Sequence, residues 1–157
     1  MNRAHRVLTV CLGNICRSPT AEAALREAAR DRGVDLEIRS AGTGDWHVGA
    51  PPHPPMVAAA ADVGLVVNGV GALVGPDDLR WADLVLAMDA HNLADLHHLA
   101  RVAGVDTAIH RFREFDPAAD DERDVPDPYG GGPDGFAEVV DICRRTAPHV
   151  VAHLADA

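Results

Sequence analysis

Apolar and polar positions along this chain follow two periods, one typical of strands and one typical of helices. Two apolar runs, residues 6–10 and 83–88, are rich in β-branched or aliphatic side chains and predict buried strands. Residues 36–40 and 107–112 predict two further strands by a weaker form of the same pattern. We therefore expect four strands, separated by segments with helical spacing.

The segment after the first strand has the signals of a helix start. Ser18 is predicted to be the N-cap and Pro19 the first helical residue. Apolar residues then recur on one face, while Glu22 and Arg26 stand four residues apart on another face. Gly33 is predicted to end this helix.

Helical spacing returns later in the chain, around one irregular segment. Residues 115–135 are rich in Asp, Pro and Gly and are not expected to form regular structure throughout. Pro148 predicts a kink or a boundary in the last helix. The later helices are predicted over residues 56–63, 90–102 and 136–154.

Strands that alternate with helices predict βαβ units with right-handed crossovers. The predicted fold class is α/β, a single domain over residues 1–157. Its mostly four-stranded parallel sheet is flanked by helices in a three-layer arrangement of the flavodoxin or Rossmann kind. Ligands of such sheets lie at the carboxyl ends of the strands. Cys11 stands at that end of the first predicted strand.

Charge and composition narrow the classes of function. With a formal net charge of −10, the chain lacks the basic surface that is typical of a nucleic-acid binder. Any site for a phosphate must therefore be positively charged locally. No apolar run approaches the roughly 20 residues of a membrane span, and no signal peptide is apparent. A cytoplasmic location is expected. The odd count of three cysteines argues against a disulfide framework.

Residues 11–18 have the parts of a phosphate-binding loop. A thiol at Cys11 and a guanidinium at Arg17 stand six residues apart, between a strand and a helix. Backbone amides of such a loop can surround a phosphate, and the positive end of the helix points at the same place. Gly13 is predicted to supply a backbone conformation closed to bulky residues, and Asn14 a left-handed one.

The same loop favours nucleophilic chemistry at the thiol. A helix N-terminus and a guanidinium favour the thiolate form of Cys11, and the Ser18 hydroxyl is placed to donate to its sulfur. A thiolate under a bound phosphoryl group is positioned for covalent catalysis. The predicted phosphate-binding residues are Leu12, Gly13, Asn14, Ile15, Cys16, Arg17 and Ser18.

The motif Cys11-Leu12-Gly13-Asn14-Ile15-Cys16-Arg17-Ser18-Pro19 resembles the signature of the low-molecular-weight protein tyrosine phosphatases. The resemblance covers nearly the whole chain in family order. It continues through Ser40-Ala41-Gly42-Thr43, Trp46-His47-Val48-Gly49, Met88-Asp89 with Asn92-Leu93, and Asp127-Pro128-Tyr129-Gly130.

The residues alone leave several candidates for a general acid. They are Asp116, Asp120, Asp121, Asp124, Asp127 and Asp134. Pro126 and Pro128 stiffen the backbone around Asp127, and the resemblance assigns the acid to Asp127. It also implies that Trp46 and Tyr129 line the substrate cleft.

The resemblance implies a phosphotyrosine phosphatase that uses a cysteine nucleophile and neither a cofactor nor a metal. The expected partners are phosphotyrosine-containing proteins, with a bacterial-type tyrosine kinase as one candidate; the oligomeric state is left open. Cys16 is a candidate redox partner that could form a reversible disulfide with Cys11. Cys143 is expected in the core. His91, His97 and His98 are expected on a solvated helix face.

Three other functions stay open. An arsenate reductase of the same fold would relay a disulfide to a further cysteine pair, but no cysteine lies between Cys16 and Cys143. A protein arginine phosphatase carries Thr where Ile15 stands here. A non-catalytic phosphopeptide-binding module would not require the thiol or the acid. Two departures from many relatives also affect the cleft: Gly130 replaces a second Tyr, and Pro55 replaces an Arg.

Overall fold

The computed structural model describes residues 3–156; the predicted domain limits, 1 and 157, lie outside the described residues. A short 3₁₀ helix spans Phe112–Phe115. The strands are β1 His5–Cys11, β2 Leu36–Gly42, β3 Leu84–Ala87 and β4 Ala108–Arg111. The α-helices are α1 Arg17–Arg32, α2 Pro54–Ala61, α3 Pro76–Trp81, α4 Ala90–Ala103 and α5 Pro133–Ala155.

The four strands form one parallel sheet in the order β2-β1-β3-β4, which confirms the predicted sheet. β1 is central and pairs Cys11 with Gly42 of β2, while Val10 pairs with Ala87 of β3. Strands that are buried on both faces read as continuous apolar runs, as residues 7–11 do. Cys11 therefore lies at the carboxyl edge of the sheet, in its middle.

Successive β1 side chains point to two separate cores, one on each face of the sheet. Val7 and Cys11 belong to the core formed with α1, α2 and α5. Leu8 and Val10 belong to the core formed with α3 and α4. The three predicted layers are thus confirmed, and the period of two along β1 places the Cys11 thiol on the side of α1.

Local contacts move two predicted helix starts. α1 begins at Arg17, so the prediction of Ser18 as its N-cap is wrong. The Ser18 hydroxyl instead lies 3.0 Å from the Cys11 sulfur. α2 begins at Pro54, two residues early, because proline fits the first turn of a helix. Gly33 ends α1 in the left-handed conformation, as predicted.

The later part of the chain differs from prediction at one proline and one short helix. α5 continues through Pro148 to Ala155, so the predicted boundary there is wrong. Ala147 and Val150 are fully buried beside Pro148, and their packing offsets the lost backbone hydrogen bond. α3, with only six residues, was not predicted. The region from 116 to 132 contains no α-helix or strand, as expected.

Candidate active site

A loop of residues 12–16 joins β1 to α1 and forms the floor of the candidate site. Asn14 has a φ of 58°, which confirms its predicted left-handed conformation. Its side-chain amide donates to the hydroxyls of Ser18 (2.8 Å) and Ser40 (3.1 Å). Its Oδ1 accepts from the backbone N–H of Ala72 at 2.9 Å. Because Asn14 is buried, these bonds are shielded from water and tie the loop to β2.

Gly13 meets a different requirement from the predicted one. Its φ is not in the left-handed region, so the prediction of a conformation closed to bulky residues is wrong. A Cβ at this position would lie 3.1 Å from Cδ2 of His47. The glycine therefore allows the imidazole of His47 to pack against the loop.

The Cys11 sulfur has two close polar neighbours. The backbone N–H of Asn14 donates to Sγ at 3.2 Å, and Ser18 Oγ lies 3.0 Å from Sγ. Since Ser18 Oγ already accepts a hydrogen bond from Asn14, its own hydrogen is available to the sulfur. Two donors directed at one sulfur are the arrangement that stabilises an anionic nucleophile.

Arg17 enters the site from the first turn of α1, and its side chain is only 4% exposed. Its NH1 donates to Asp89 Oδ2 at 2.7 Å and to the carbonyl oxygen of Val125 at 3.0 Å. Burial opposes the charge, but the hydrogen bond to Asp89 and the negative charges nearby outweigh it and raise the pKa of Arg17. The guanidinium is therefore permanently charged and fixed in direction.

Asp89 is a site residue that the sequence indicates only through the family resemblance. It is the N-cap of α4, where its Oδ1 accepts from the backbone N–H of Asn92 at 2.8 Å. Its second oxygen holds Arg17. An aspartate between a buried strand and a helix is the usual N-cap signal, and it marks the same carboxyl edge of the sheet as Cys11.

A cavity of about 280 Å³ opens above the loop. Every predicted catalytic and cleft residue lines it, whereas Asn14 and Ser18 lie behind the loop and shape it from there. The lining residues are Cys11, Leu12, Gly13, Ile15, Cys16, Arg17, Trp46, His47, Asp127 and Tyr129.

The cavity wall consists of exposed aromatic and imidazole rings. Trp46 is 71% exposed and Tyr129 is 56% exposed. Trp46 packs over Gly44, where any Cβ would overlap its ring. The His47 ring lies 6.1 Å from that of Tyr129, and the His53 ring lies 4.9 Å from it. Both predicted cleft residues are therefore brought to one cavity, and His47 joins them.

Asp127 is the one predicted acid that lines the cavity. Its Oδ2 lies 3.9 Å from NH2 of Arg17, and its Oδ1 accepts from the backbone N–H of Tyr129 at 3.1 Å. Asp116 is instead buried in an ion cluster, and Asp124 bonds the N-terminus of α4. The remaining candidates are exposed to solvent away from the cavity: Asp120, Asp121 and Asp134.

Cys16 and Cys143 are buried thiols. Burial, with the nearby charges of Cys11 and Asp127, raises the pKa of Cys16 to about 12. Burial also raises the pKa of Cys143 well above its usual range, and its position in the core is as predicted. Both thiols are therefore protonated at neutral pH. The disulfide between Cys11 and Cys16 stays a prediction.

Three further findings concern the histidines of α4, possible metal ligands and the length and polarity of the helices. His91, His97 and His98 are exposed on α4, as predicted. Among residues 3–156, no group of three or more His, Cys, Asp or Glu side chains is arranged to hold a metal ion. In the same range, every helix is too short or too polar to cross a lipid bilayer.

The fold and the loop together define a three-layer α/β protein with a thiol and an arginine at the two ends of the loop that joins β1 to α1. Residues 6–157 match the family described as low molecular weight phosphotyrosine protein phosphatase. The chain belongs to this family.

Individual relatives agree with this assignment. A low molecular weight protein-tyrosine-phosphatase of Streptomyces coelicolor is 39% identical over 151 residues, 94% of this chain and 92% of the relative. YfkJ of Bacillus subtilis, another protein of that description, is 40% identical over 152 residues, 94% of each chain.

Solved structures superpose over almost the whole chain. The crystal structure of YfkJ covers 99% of this chain and 97% of its own, with a TM-score of 0.89 and 34% identity. The crystal structure of a Drosophila arginine phosphatase covers 94% of this chain and 96% of its own, with a TM-score of 0.88 and 30% identity. The shared fold thus accommodates proteins described by two different phosphate chemistries.

Proposed function

We propose that this chain hydrolyses phosphotyrosine in proteins through a phosphocysteine intermediate, as one phosphatase domain over residues 1–157. One observation carries the proposal: the Cys11 thiol, the Arg17 guanidinium and the Asp127 carboxyl line a single cavity. A module that only binds phosphopeptides requires neither the thiol nor the carboxyl, so the arrangement favours catalysis.

In the first step, the Cys11 thiolate attacks phosphorus and the bond from phosphorus to the phenolic oxygen breaks. Arg17 and the loop backbone stabilise the charge on the phosphoryl oxygens. The Asp127 carboxyl donates its proton to the leaving oxygen. Because Asp127 is half exposed at the rim and Cys11 is buried at the floor, the acid lies on the side where the leaving group departs.

In the second step, water attacks the phosphorus of the phosphocysteine while the Asp127 carboxylate accepts a proton from that water. The sulfur–phosphorus bond breaks, inorganic phosphate leaves and the thiolate is restored. The donors from Asn14 and Ser18 stabilise the sulfur as it leaves. The cycle therefore returns every group to its starting state.

The cavity wall supports an aromatic substrate. Trp46 and Tyr129 present exposed rings at the mouth, between which a flat phenyl ring can stack. Ile15 is buried at the cavity floor and offers no polar group to a guanidinium phosphate. Similarity to a Drosophila arginine phosphatase makes phosphoarginine hydrolysis the second candidate function. Ile15 is the residue that argues against it.

The test is hydrolysis of a phosphotyrosine peptide in excess chelator, beside hydrolysis of phosphoarginine and beside reduction of arsenate with an added thiol reductant. Turnover of the phosphotyrosine peptide is expected to be fastest. Cys11→Ser should reduce it by about 10⁴-fold or more, as for other covalent nucleophiles. Cys143→Ala is the matched control, because it removes a thiol that does not reach the cavity. Full activity of Cys11→Ser would contradict the proposed intermediate.

Membership of the family implies phosphoprotein substrates for this chain. The tyrosine kinase that would phosphorylate them and the cytoplasmic location stay predictions from the sequence. The absence of nucleic-acid partners also stays a prediction, supported by the net charge of −10.

A further inference from the structure

A second cavity lies between α2 and the N-terminal half of α5, and we name it the α2–α5 groove. Its volume of about 540 Å³ is nearly twice that of the catalytic cavity. Phe136 and Val140 are buried and form its floor with Ala59, which is half-buried. The groove is therefore an apolar recess that solvent can reach, and it plays no part in the proposed chemistry.

The rim of the α2–α5 groove is acidic. Three exposed carboxylates stand around the apolar floor: Asp62 from the end of α2, and Asp134 and Asp141 from α5. Within residues 3–156, no arginine or histidine lines the groove, and the chain contains no lysine. Arg145, one turn beyond Asp141, is bound through two hydrogen bonds to Asp116. After Asp116, the charge of Asp141 also helps to raise the pKa of Arg145, so Arg145 offsets part of one rim charge and the rim as a whole stays negative.

The groove begins directly behind the wall of the catalytic cavity. Tyr129 lines the cavity and Gly131 lines the groove, so one residue, Gly130, lies between them, and their Cα atoms are at most about 7 Å apart. The His53 ring lines neither recess but lies near one lining residue of each, at 4.9 Å from Tyr129 and 5.7 Å from Phe136. Gly130 has a φ of 84°, and no atom lies near the position its Cβ would take. Without a side chain at Gly130, the ridge between cavity and groove is low.

We propose that the α2–α5 groove binds the substrate polypeptide beside its phosphotyrosine, and that it selects an apolar side chain flanked by arginine or lysine. The inference rests on the proposed function, because it assumes a phosphotyrosine in the catalytic cavity. The apolar floor accepts the aliphatic or aromatic side chain. The three carboxylates attract the flanking cations and repel acidic sequences, nucleic acids and anionic lipid surfaces.

The first test uses pairs of phosphotyrosine peptides that are identical except at the two outer residues of one triplet. One member carries Arg-Leu-Arg and the other Glu-Leu-Glu, and the triplet is moved stepwise along both sides of the phosphotyrosine. At the best position, kcat/KM is expected to favour the basic peptide by about tenfold. Raising the salt concentration from about 0.05 to about 0.5 M should reduce this preference. Equal turnover of both peptides at every position would overturn the proposal.

The second test removes the rim charges without changing side-chain size. The double variant Asp62→Asn and Asp141→Asn should lose most of the preference for the basic peptide while hydrolysing a small aryl phosphate at the unmodified rate. The matched control, Asp31→Asn with Asp106→Asn, removes two exposed charges that do not line the groove. A rim variant that keeps the preference, or a control that loses it equally, would overturn the proposal.

A third variant tests the floor of the α2–α5 groove. The small aryl phosphate then distinguishes a failure of the groove proposal from a failure of the proposed function. Ala59→Arg fills the groove with a long side chain, and we expect it to slow both peptides that carry leucine while sparing the small aryl phosphate. Unchanged turnover of these peptides would count against occupation of the groove. If the unmodified protein does not hydrolyse the small aryl phosphate, the proposed function fails instead, whatever the peptides show.

Discussion

Most side chains of residues 12–18, the phosphate loop, are buried, whereas Trp46 and Tyr129 of the cavity wall are more than half exposed. Asn14 and Arg17 are 3% exposed, and each makes at least two hydrogen bonds beyond the loop. Trp46 and Tyr129 are 71% and 56% exposed; the Trp46 ring packs over Gly44, and the Tyr129 ring lies near those of His47 and His53. The two sides of one cavity thus differ in how firmly the surrounding structure holds them.

This difference separates two tasks. A phosphate is the same in every substrate, so the groups that bind it gain from being fixed before binding, when no reorganisation is needed. The part of the substrate beyond the phosphate varies, and exposed side chains can change without disturbing the core. We therefore expect substitutions in the loop to affect every substrate alike and substitutions in the wall to affect substrates selectively.

Arg17→Lys is the strongest test of the buried side of the cavity, which the phosphate loop forms. A lysine ammonium cannot form the two-pronged contact with phosphate while also bonding Asp89 and Val125. We expect kcat/KM to fall by about 10³-fold to 10⁵-fold, the range for arginines that stabilise phosphoryl-transfer transition states. The loss should be equal for small and large aryl phosphates, measured side by side. A loss confined to large substrates would contradict the comparison.

Substitution of Asp116 tests how the acidic segment that carries Asp127 is anchored. This carboxylate is completely buried; Arg145 donates to both of its oxygens, and Arg113 Nε donates to one at 3.0 Å. Arg113 also donates to the carbonyl oxygen of Asp124, three residues before Asp127. The acidic segment is therefore held at Asp116 and Asp124 by these two arginines, although Asp127 further along faces solvent.

Asp116→Asn is expected to lower the free energy of unfolding by about 3 kcal/mol at about pH 7, because two guanidinium groups lose their partner. The hydrogen bonds from Arg145, then those from Ala118 and Arg113, outweigh burial and hold the pKa of Asp116 well below its usual range. Its contribution is therefore complete above about pH 4 and is lost as the pH falls further.

Urea denaturation at several pH values measures both parts of this prediction. The difference between the unmodified protein and Asp116→Asn should narrow as the pH falls below about 4. Asp121→Asn, an exposed aspartate of the same segment, should stay within about 0.5 kcal/mol of the unmodified protein at each pH. A constant difference across the pH range would show that Asp116 does not stabilise the fold through its charge.

The sequence predicted the parts of the molecule that depend on local pattern. β1 and α1 follow from an apolar run and a helical period, and Gly33 ends the helix through its own conformational freedom. Cys11 and Arg17 follow from their spacing across the join of these two elements. Asp127 needed the family resemblance, because six aspartates in one segment are equivalent until the fold brings one to the cavity.

Most failures come from contact between distant segments, whereas the two shifted helix starts come from local contacts. Gly13 is glycine because His47 packs on it, 34 residues along the chain. Ser18 does not cap α1, because its hydroxyl lies against the Cys11 sulfur. Asp89 holds Arg17 across 72 positions. The α2–α5 groove joins two helices that are far apart in sequence, and no local period reveals it.

Asp127→Asn tests the exposed side of the catalytic cavity at the residue that we propose as the general acid. We expect turnover of phenyl phosphate to fall by about 100-fold, because the amide cannot supply a proton to a poor leaving group. A substrate with a much better leaving group, such as dinitrophenyl phosphate, should lose far less. Unfolding by urea should be almost unchanged, since the side chain is half exposed. An equal loss on both substrates would assign Asp127 a role other than acid.

Trp46→Ala should give the smallest effect and the most selective one. The ring stands at the mouth, 71% exposed, and contributes only through stacking on a substrate ring, worth about 0.5–1.5 kcal/mol. We expect KM for an aryl phosphate to rise by about threefold to tenfold with kcat nearly unchanged, because the lost contact serves the ground state and the transition state equally. An alkyl phosphate, which has no ring to stack, is the control and should show no change. If KM rose equally for both substrates, Trp46 would be shaping the phosphate loop, and the separation between a fixed floor and an adaptable wall would fail at this residue.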